Sequence, residues 1–165
     1  MEAPNRKVVD NDPSCVPPLS ESARLVAWNR ELIAAHERLR AALRQARESL
    51  DSGSSARDLR LYCHGFCAAL SAHHEREDAG LFPELSARHP ALDSVLAKLK
   101  QDHQAVASLL NQFDEAMRSS APLASHLDGL AAIMESHFRY EERQLLDTLT
   151  TLDLDAEPSS MLGPL

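Results

Sequence analysis

The chain has 165 residues, 44% hydrophobic and 25% charged, which is the balance of one ordinary globular domain with its own core. A formal net charge of -8 with no Lys/Arg cluster excludes a phosphate-binding stripe and so a nucleic-acid partner, and no apolar run approaches the ~20 residues of a membrane span. Three cysteines (Cys15, Cys63, Cys67) cannot all pair within one chain, and Met1 to Pro18 lacks the apolar stretch of a secretory signal, so a reducing cytoplasm is the expected setting.

Residues 1–19 carry Pro4, Pro13, Pro17 and Pro18 without periodicity and read as a mobile arm. Four long helical segments follow over residues 20–149. The first runs from about Glu21 to Leu50, with Leu25, Leu32, Leu39, Leu43 and Leu50 on one stripe. Asp51-Ser-Gly-Ser-Ser55 breaks it, and Ser55 caps the second, with Asp58 three residues on as a short capping box. That second helix runs to about Leu81, with Leu59, Cys63, Phe66 and Leu70 inward; Pro83 ends it and opens a short turn through Arg88. Pro90 starts the third, about Ala91 to Arg118, with Leu92, Leu96, Leu99, Val106, Leu110, Phe113 and Met117 inward. After Ser119-Ser-Ala-Pro122 the fourth runs from about Leu123 to Leu149, with Leu123, Leu127, Leu130 and Met134 inward. The remainder, 150–165, reads as an irregular, frayed tail. Short connections between long helices make neighbours antiparallel, so the expected fold is an all-α, up-down-up-down four-helix bundle.

Each stripe carries polar residues where an apolar one belongs. His36 interrupts the first, His73 and Glu77 continue the second, His103 the third, and His137 and Glu141 the fourth. A buried carboxylate without a partner costs several kcal/mol or more, and a buried imidazole needs a partner at each nitrogen. A cation satisfies such a set best. His103 and His137 stand equally far from the turn joining their helices, and His36 and His73 differ by only about one turn, ~5 Å, so the four meet in one layer. His73–Glu77 and His137–Glu141 are both His-x-x-x-Glu pairs, with both side chains on one helix face. Two metal ions ~3.5–4 Å apart can share such pairs through the carboxylates. His74, about 100° round the helix from His73, also reaches the interior. Five histidines and two glutamates exceed one structural zinc and fit two irons better.

These residues carry a resemblance. Ala72-His73-His74-Glu75-Arg76-Glu77-Asp78-Ala79-Gly80-Leu81-Phe82-Pro83, Gln101-Asp102-His103 and Ser136-His137-Phe138-Arg139-Tyr140-Glu141-Glu142 resemble the hemerythrin-like family, also called the HHE cation-binding domain, over about residues 20–149. The resemblance implies a non-heme di-iron centre, oxo- or hydroxo-bridged, with Glu77 and Glu141 as carboxylate bridges and His36, His73, His74, His103 and His137 as terminal ligands. Oxygen-carrying hemerythrins place two histidines four residues apart on the third helix; here Ala107 stands at that spacing from His103, and the His73-His74 pair supplies the ligand instead.

Among the remaining candidates, Asp78 and Glu142 read as solvated neighbours, Asp78 with the option of orienting a histidine. His64 faces outward, His89 sits in a loop, and His126 shares the face of His137 but lies ~16 Å away near the bundle end. Cys63 and Cys67 read as small buried hydrophobes. Trp28, Tyr62 and Tyr140 are expected at helix interfaces. The expected function is a stand-alone di-iron protein that binds or senses a small oxidant (dioxygen, nitric oxide or peroxide), with an unidentified redox partner. The alternatives are a di-iron oxidoreductase, with catalase-like or organic-substrate oxidation, and a zinc or metal-free interaction bundle.

Overall fold

A computed structural model describes residues 21–119, 121–154, 156 and 158–163, for 21–27, 158 and 159 the backbone alone. The expected arm, 1–19, and the side chain of Leu25 lie outside the described residues. Four long helices, α1 (Glu21–Asp51), α2 (Ala56–Arg76), α4 (Asp93–Ser119) and α5 (Ala124–Thr151), form the bundle. Helix α1 packs on α2 and α5, and α4 packs on α5 and α2, so chain neighbours are also neighbours round the bundle. No described helix is long and apolar enough to cross a membrane.

The ends of these helices follow from local chemistry. The α1 C-terminus closes on Gly53, at φ 65°, with Gly53 N–H donating to the Leu50 carbonyl and Ser54 N–H to that of Ser49. That is a Schellman motif, and only glycine adopts its left-handed residue without penalty. Ser55 then caps α2 by accepting from the Asp58 N–H at 3.2 Å; its own hydroxyl donates to the Asp58 carboxylate at 2.7 Å.

The second helix does not run on regularly to Leu81. After Arg76 it widens into one π turn, Glu77–Leu81, before α3 (Phe82–Arg88) resumes. The cause is Pro83, which has no N–H to give the Ala79 carbonyl and whose ring would press on it in a regular helix. The wider turn absorbs the misfit, with Phe82 N–H donating five residues back to Glu77. A single 3-10 turn, Pro90–Leu92, leads into α4.

The core falls into two apolar blocks. One contains Leu39, Leu43, Phe66, Leu70, Val106, Phe113, Met134 and Phe138. The other contains Trp28, Leu32, Leu81, Phe82, Leu85, Leu99, Leu145 and Leu149. Burying each such side chain contributes about 1.5–3 kcal/mol. Along every helix the seam crosses from one block to the other at the polar residues: His36 between Leu32 and Leu39, His103 between Leu99 and Val106. The histidines and glutamates therefore form a polar layer held between two dry blocks.

The tail departs from expectation. Leu152, Leu154 and Leu162 are buried in the second block, and a short helix α6 (Pro158–Leu162) lies against α1, α2 and the π turn. Composition alone reads this segment as frayed; three leucines and the bundle end they cover hold it down.

Candidate metal centre

All seven residues singled out in the sequence come together in the polar layer, each at most 6% exposed. They form two groups. His36, His73, Glu77 and Glu141 bring one donor atom each within 4.8 Å of one another, and so do His74, His103 and His137. Adjacent positions on α2 feed both groups. His73 meets His36 edge to face at 5.2 Å, while His74, turned round the helix, stacks on His103 at 3.9 Å.

The glutamates lie between the groups. Glu77 Oε1 is 3.2 Å from His73 Nε2, and its other oxygen, Oε2, is 3.5 Å from His103 Nε2. Glu141 Oε2 is 3.4 Å from His36 Nε2 and 3.6 Å from His137 Nε2. Each carboxylate thus touches both groups.

The outer ring nitrogens are tied down where the sequence gives little sign of it. His36 Nδ1–H donates to Glu142 at 2.8 Å, His103 Nδ1–H to Asp78 at 3.0 Å, and His73 Nδ1–H to the Leu162 backbone carbonyl at 3.0 Å. Each bond commits Nδ1 as the donor and leaves the Nε2 lone pair facing inward. Glu142 is therefore not a solvated neighbour: it is part-buried and also accepts from Arg40, which holds Glu135 as well. Helical spacing puts Glu142 beside Glu141 but not toward His36; only the packing of α5 on α1 does that. Asp78 does orient a histidine.

Most of the inward atoms have no hydrogen-bond partner. Glu77 and Glu141 have both oxygens unsatisfied, as is Nε2 of His36, His73 and His74; His137 Nδ1, on the outer side of its ring 4.0 Å from Asp102, is also without a hydrogen bond, and outside these residues only Asn29 and Ser49 show such an atom among the described residues. His103 Nε2 and His137 Nε2 face each other at 3.2 Å. Each unsatisfied buried group costs about 1–3 kcal/mol, so the set costs on the order of 10 kcal/mol, comparable to the whole stability of a domain. Lone pairs and carboxylate oxygens converging in this way fit cations.

Without a cation, protons take part of that role. Burial opposes charge on His36, but Glu141 and Glu142 outweigh it and raise its pKa. Burial, with Glu141 beside it, lifts Glu77 well above the usual carboxylate range. Burial would also raise Glu141, yet the adjacent His36, 3.4 Å away, then His137 and His73, bring it down to about 2. The other imidazoles are driven toward the neutral form that metals bind: burial, then the His36 charge, takes His73 down to about 4, and burial with His137 takes His103 down to about 3. His74 and His137 are lowered by burial first as well.

Two grooves reach the three-histidine side. One of about 620 Å³ between α4 and α5 is lined by Lys98, Asp102, Tyr140 and Arg143 and ends at His137. A smaller one, about 160 Å³ between α2 and α4, reaches His74 and His103 beside Ala107. The opposite side is closed by Phe138, stacked on His36 at 3.9 Å, and by the tail over His73.

The other candidates lie apart from the cluster. His64 is 59% exposed, and His126 bonds the Pro122 carbonyl at the start of α5. Tyr140 sits in the larger groove between Lys98 and Arg143. Trp28 packs in the second block, but Tyr62 is exposed instead of lying at an interface, on an α2 face it shares with the exposed Leu61 that meets no neighbour among the described residues. Cys63 is buried in the first block, and Cys67 is half-buried against it.

No curated protein and no solved structure matches the chain. Residues 29–149 match the family described as the Hemerythrin HHE cation binding domain, a span that holds every residue of the cluster and most of the chain. Bundle, buried His/Glu layer and family match agree: the chain belongs to the hemerythrin HHE cation-binding domain family.

Proposed function

We propose that the protein is a non-heme di-iron protein that binds or senses a small oxidant: dioxygen, nitric oxide or peroxide. One observation carries the reading. Glu77 and Glu141 each reach both histidine groups, which is what two neighbouring cations sharing two carboxylates require. His36 and His73 would hold one ion and His74, His103 and His137 the other, with both glutamates common to the two. That gives four donors to one ion and five to the other, so six-coordinate iron keeps free positions. Imidazole with carboxylate and no thiolate suits iron, and the donor count exceeds what one zinc takes up.

Iron in such a site supplies electrons to, or an open position for, a small oxidant. The chain's own part is to hold the ligands neutral or anionic and to keep bulk water from them. Glu142 and Asp78 place compensating negative charge behind His36 and His103. The grooves at His137 and His74 give a small molecule an approach. Unassisted oxidant binding is the primary reading because both grooves stop at histidine edges, and neither lining includes Glu77 or Glu141.

Anaerobic Fe(II) titration followed by exposure to each oxidant tests this. The expected result is about two irons per chain and an optical change that reverses when dioxygen or nitric oxide is removed. Rapid gas evolution from peroxide, with turnover, would favour a catalase-like enzyme. Failure to take up iron would remove the reading.

A further inference from the structure

The His73 ring is held from outside the bundle helices, by the backbone of the C-terminal segment. We infer that this segment is a positioning strap: by lodging the Leu162 carbonyl against His73 Nδ1, it sets the metal position formed by His36, His73, Glu77 and Glu141. The inference rests on the metal-centre reading above and extends it to a part of the chain that lies beyond the matched family span, residues 29–149.

A backbone carbonyl can only accept, so at 3.0 Å it requires the proton on His73 Nδ1 and leaves Nε2 unprotonated, facing Glu77. The neighbouring His74 has no such outer bond among the described residues, and the partners of His36 and His103 are carboxylates. The carbonyl is available because Leu162 ends α6, where last-turn carbonyls lack intrahelical donors.

The strap is seated by shape as well as by that bond. Leu162 is 2% exposed and shares the second block with Leu152, Leu154, Leu81 and Phe82. Gly80, in the π turn that begins at Glu77, leaves room for the Met161 sulfur, which any β-carbon there would strike. Gly163, at φ 92°, turns the chain against the Arg76 guanidinium. The strap therefore rests on both segments that carry donors from the α2 strand of the bundle: His73 through its ring, and Glu77 through its turn. Coupling of this kind is reciprocal: if the strap favours metal binding, bound metal must favour the closed strap by the same factor.

The test uses the full chain loaded with Zn(II), and with Fe(II) under anaerobic conditions. Replacing Leu162 by aspartate, L162D, should drive the strap off. Loss of an outer partner of a metal-bound histidine typically weakens binding 10–100-fold. One of the two ions should then leave to a chelator 10–100-fold faster, and L162M should restore the slow rate. L149A, which thins the same apolar block from α5, should lower the melting temperature and leave both release rates alone. In the wild-type chain, which depends on no variant folding, metal should slow amide exchange over residues 158–163. Equal acceleration in L162D and L149A, or exchange over 158–163 indifferent to metal, would overturn the inference. A wild-type chain that binds no metal would instead overturn the metal-centre reading, and the strap's role with it.

Discussion

Replacing Glu77 by leucine separates the needs of the fold from those of the metal site. Glu77 is wholly buried, and neither oxygen has a hydrogen-bond partner. Burial, reinforced by Glu141, raises its pKa well above the usual range, which favours the neutral acid in the metal-free protein. Leucine has a similar volume and nothing to leave unsatisfied. Removing an unpartnered buried polar group is worth about 1–3 kcal/mol, so the metal-free E77L protein should be more stable than the wild type by that order. For a chain of this size each kcal/mol moves the melting temperature by roughly 2–4 °C. With iron the wild type recovers a gain that E77L does not. An ion present at about a hundred times its dissociation constant stabilises the wild type by about 2.7 kcal/mol, and E77L, lacking the carboxylate between His73 and His103, should gain little. Anaerobic scanning calorimetry with chelator and then with Fe(II) reads both effects. A metal-free E77L that melts far below the wild type would make Glu77 a support of the fold, and one that keeps the full iron-induced shift would show that Glu77 is no ligand.

Metal uptake should release protons, because His36 and Glu77 both hold theirs to higher pH than usual and must lose them to become ligands. Apparent affinity should therefore fall as pH falls, and calorimetric heats should differ between buffers of different ionisation enthalpy; buffer-independent heats would contradict this. In the metal-free protein, His73 and His103 titrate near 4 and 3 in the fold against an ordinary 6.5, so the unfolded chain binds protons first. Their contribution is fully present above pH 6.5 and is lost as pH falls from there toward 4 and 3, which pH-dependent chelator-treated melts would register as falling stability. Glu142→Gln should weaken metal binding about 10–100-fold by loosening His36, measured by chelator competition; unchanged affinity would make the Glu142–His36 bond incidental. His64→Ala should leave metal content as it is, since that ring is solvent-exposed; a large loss would mean α2 presents a different face.

The burial and clustering of these seven residues were legible because helical periodicity is a local property. A histidine or glutamate in an apolar register announces burial, and burial of seven such groups calls for a compensating charge. The His73-His74 pair shows the same logic at finer grain: adjacent helix positions diverge by about 100°, which is how one helix serves both groups. What supports the site was not legible, because it comes from residues distant in sequence. Glu142 lies one position from a predicted ligand, yet its role depends on α5 meeting α1 at His36 and Arg40. The Leu162 carbonyl carries no side-chain signal at all, and its segment's composition points to fraying. The π turn had a partial sign in Pro83, which tells that the regular helix must yield but not that it widens and continues.

On the proposed reading, Glu77 and Glu141 hold two cations side by side. Iron K-edge X-ray absorption on protein loaded anaerobically and assayed for iron content tests it most directly. About two irons per chain and an iron–iron scattering distance of roughly 3.5–4 Å are the predicted result. One iron per chain, or two with no iron neighbour at that range, would contradict it.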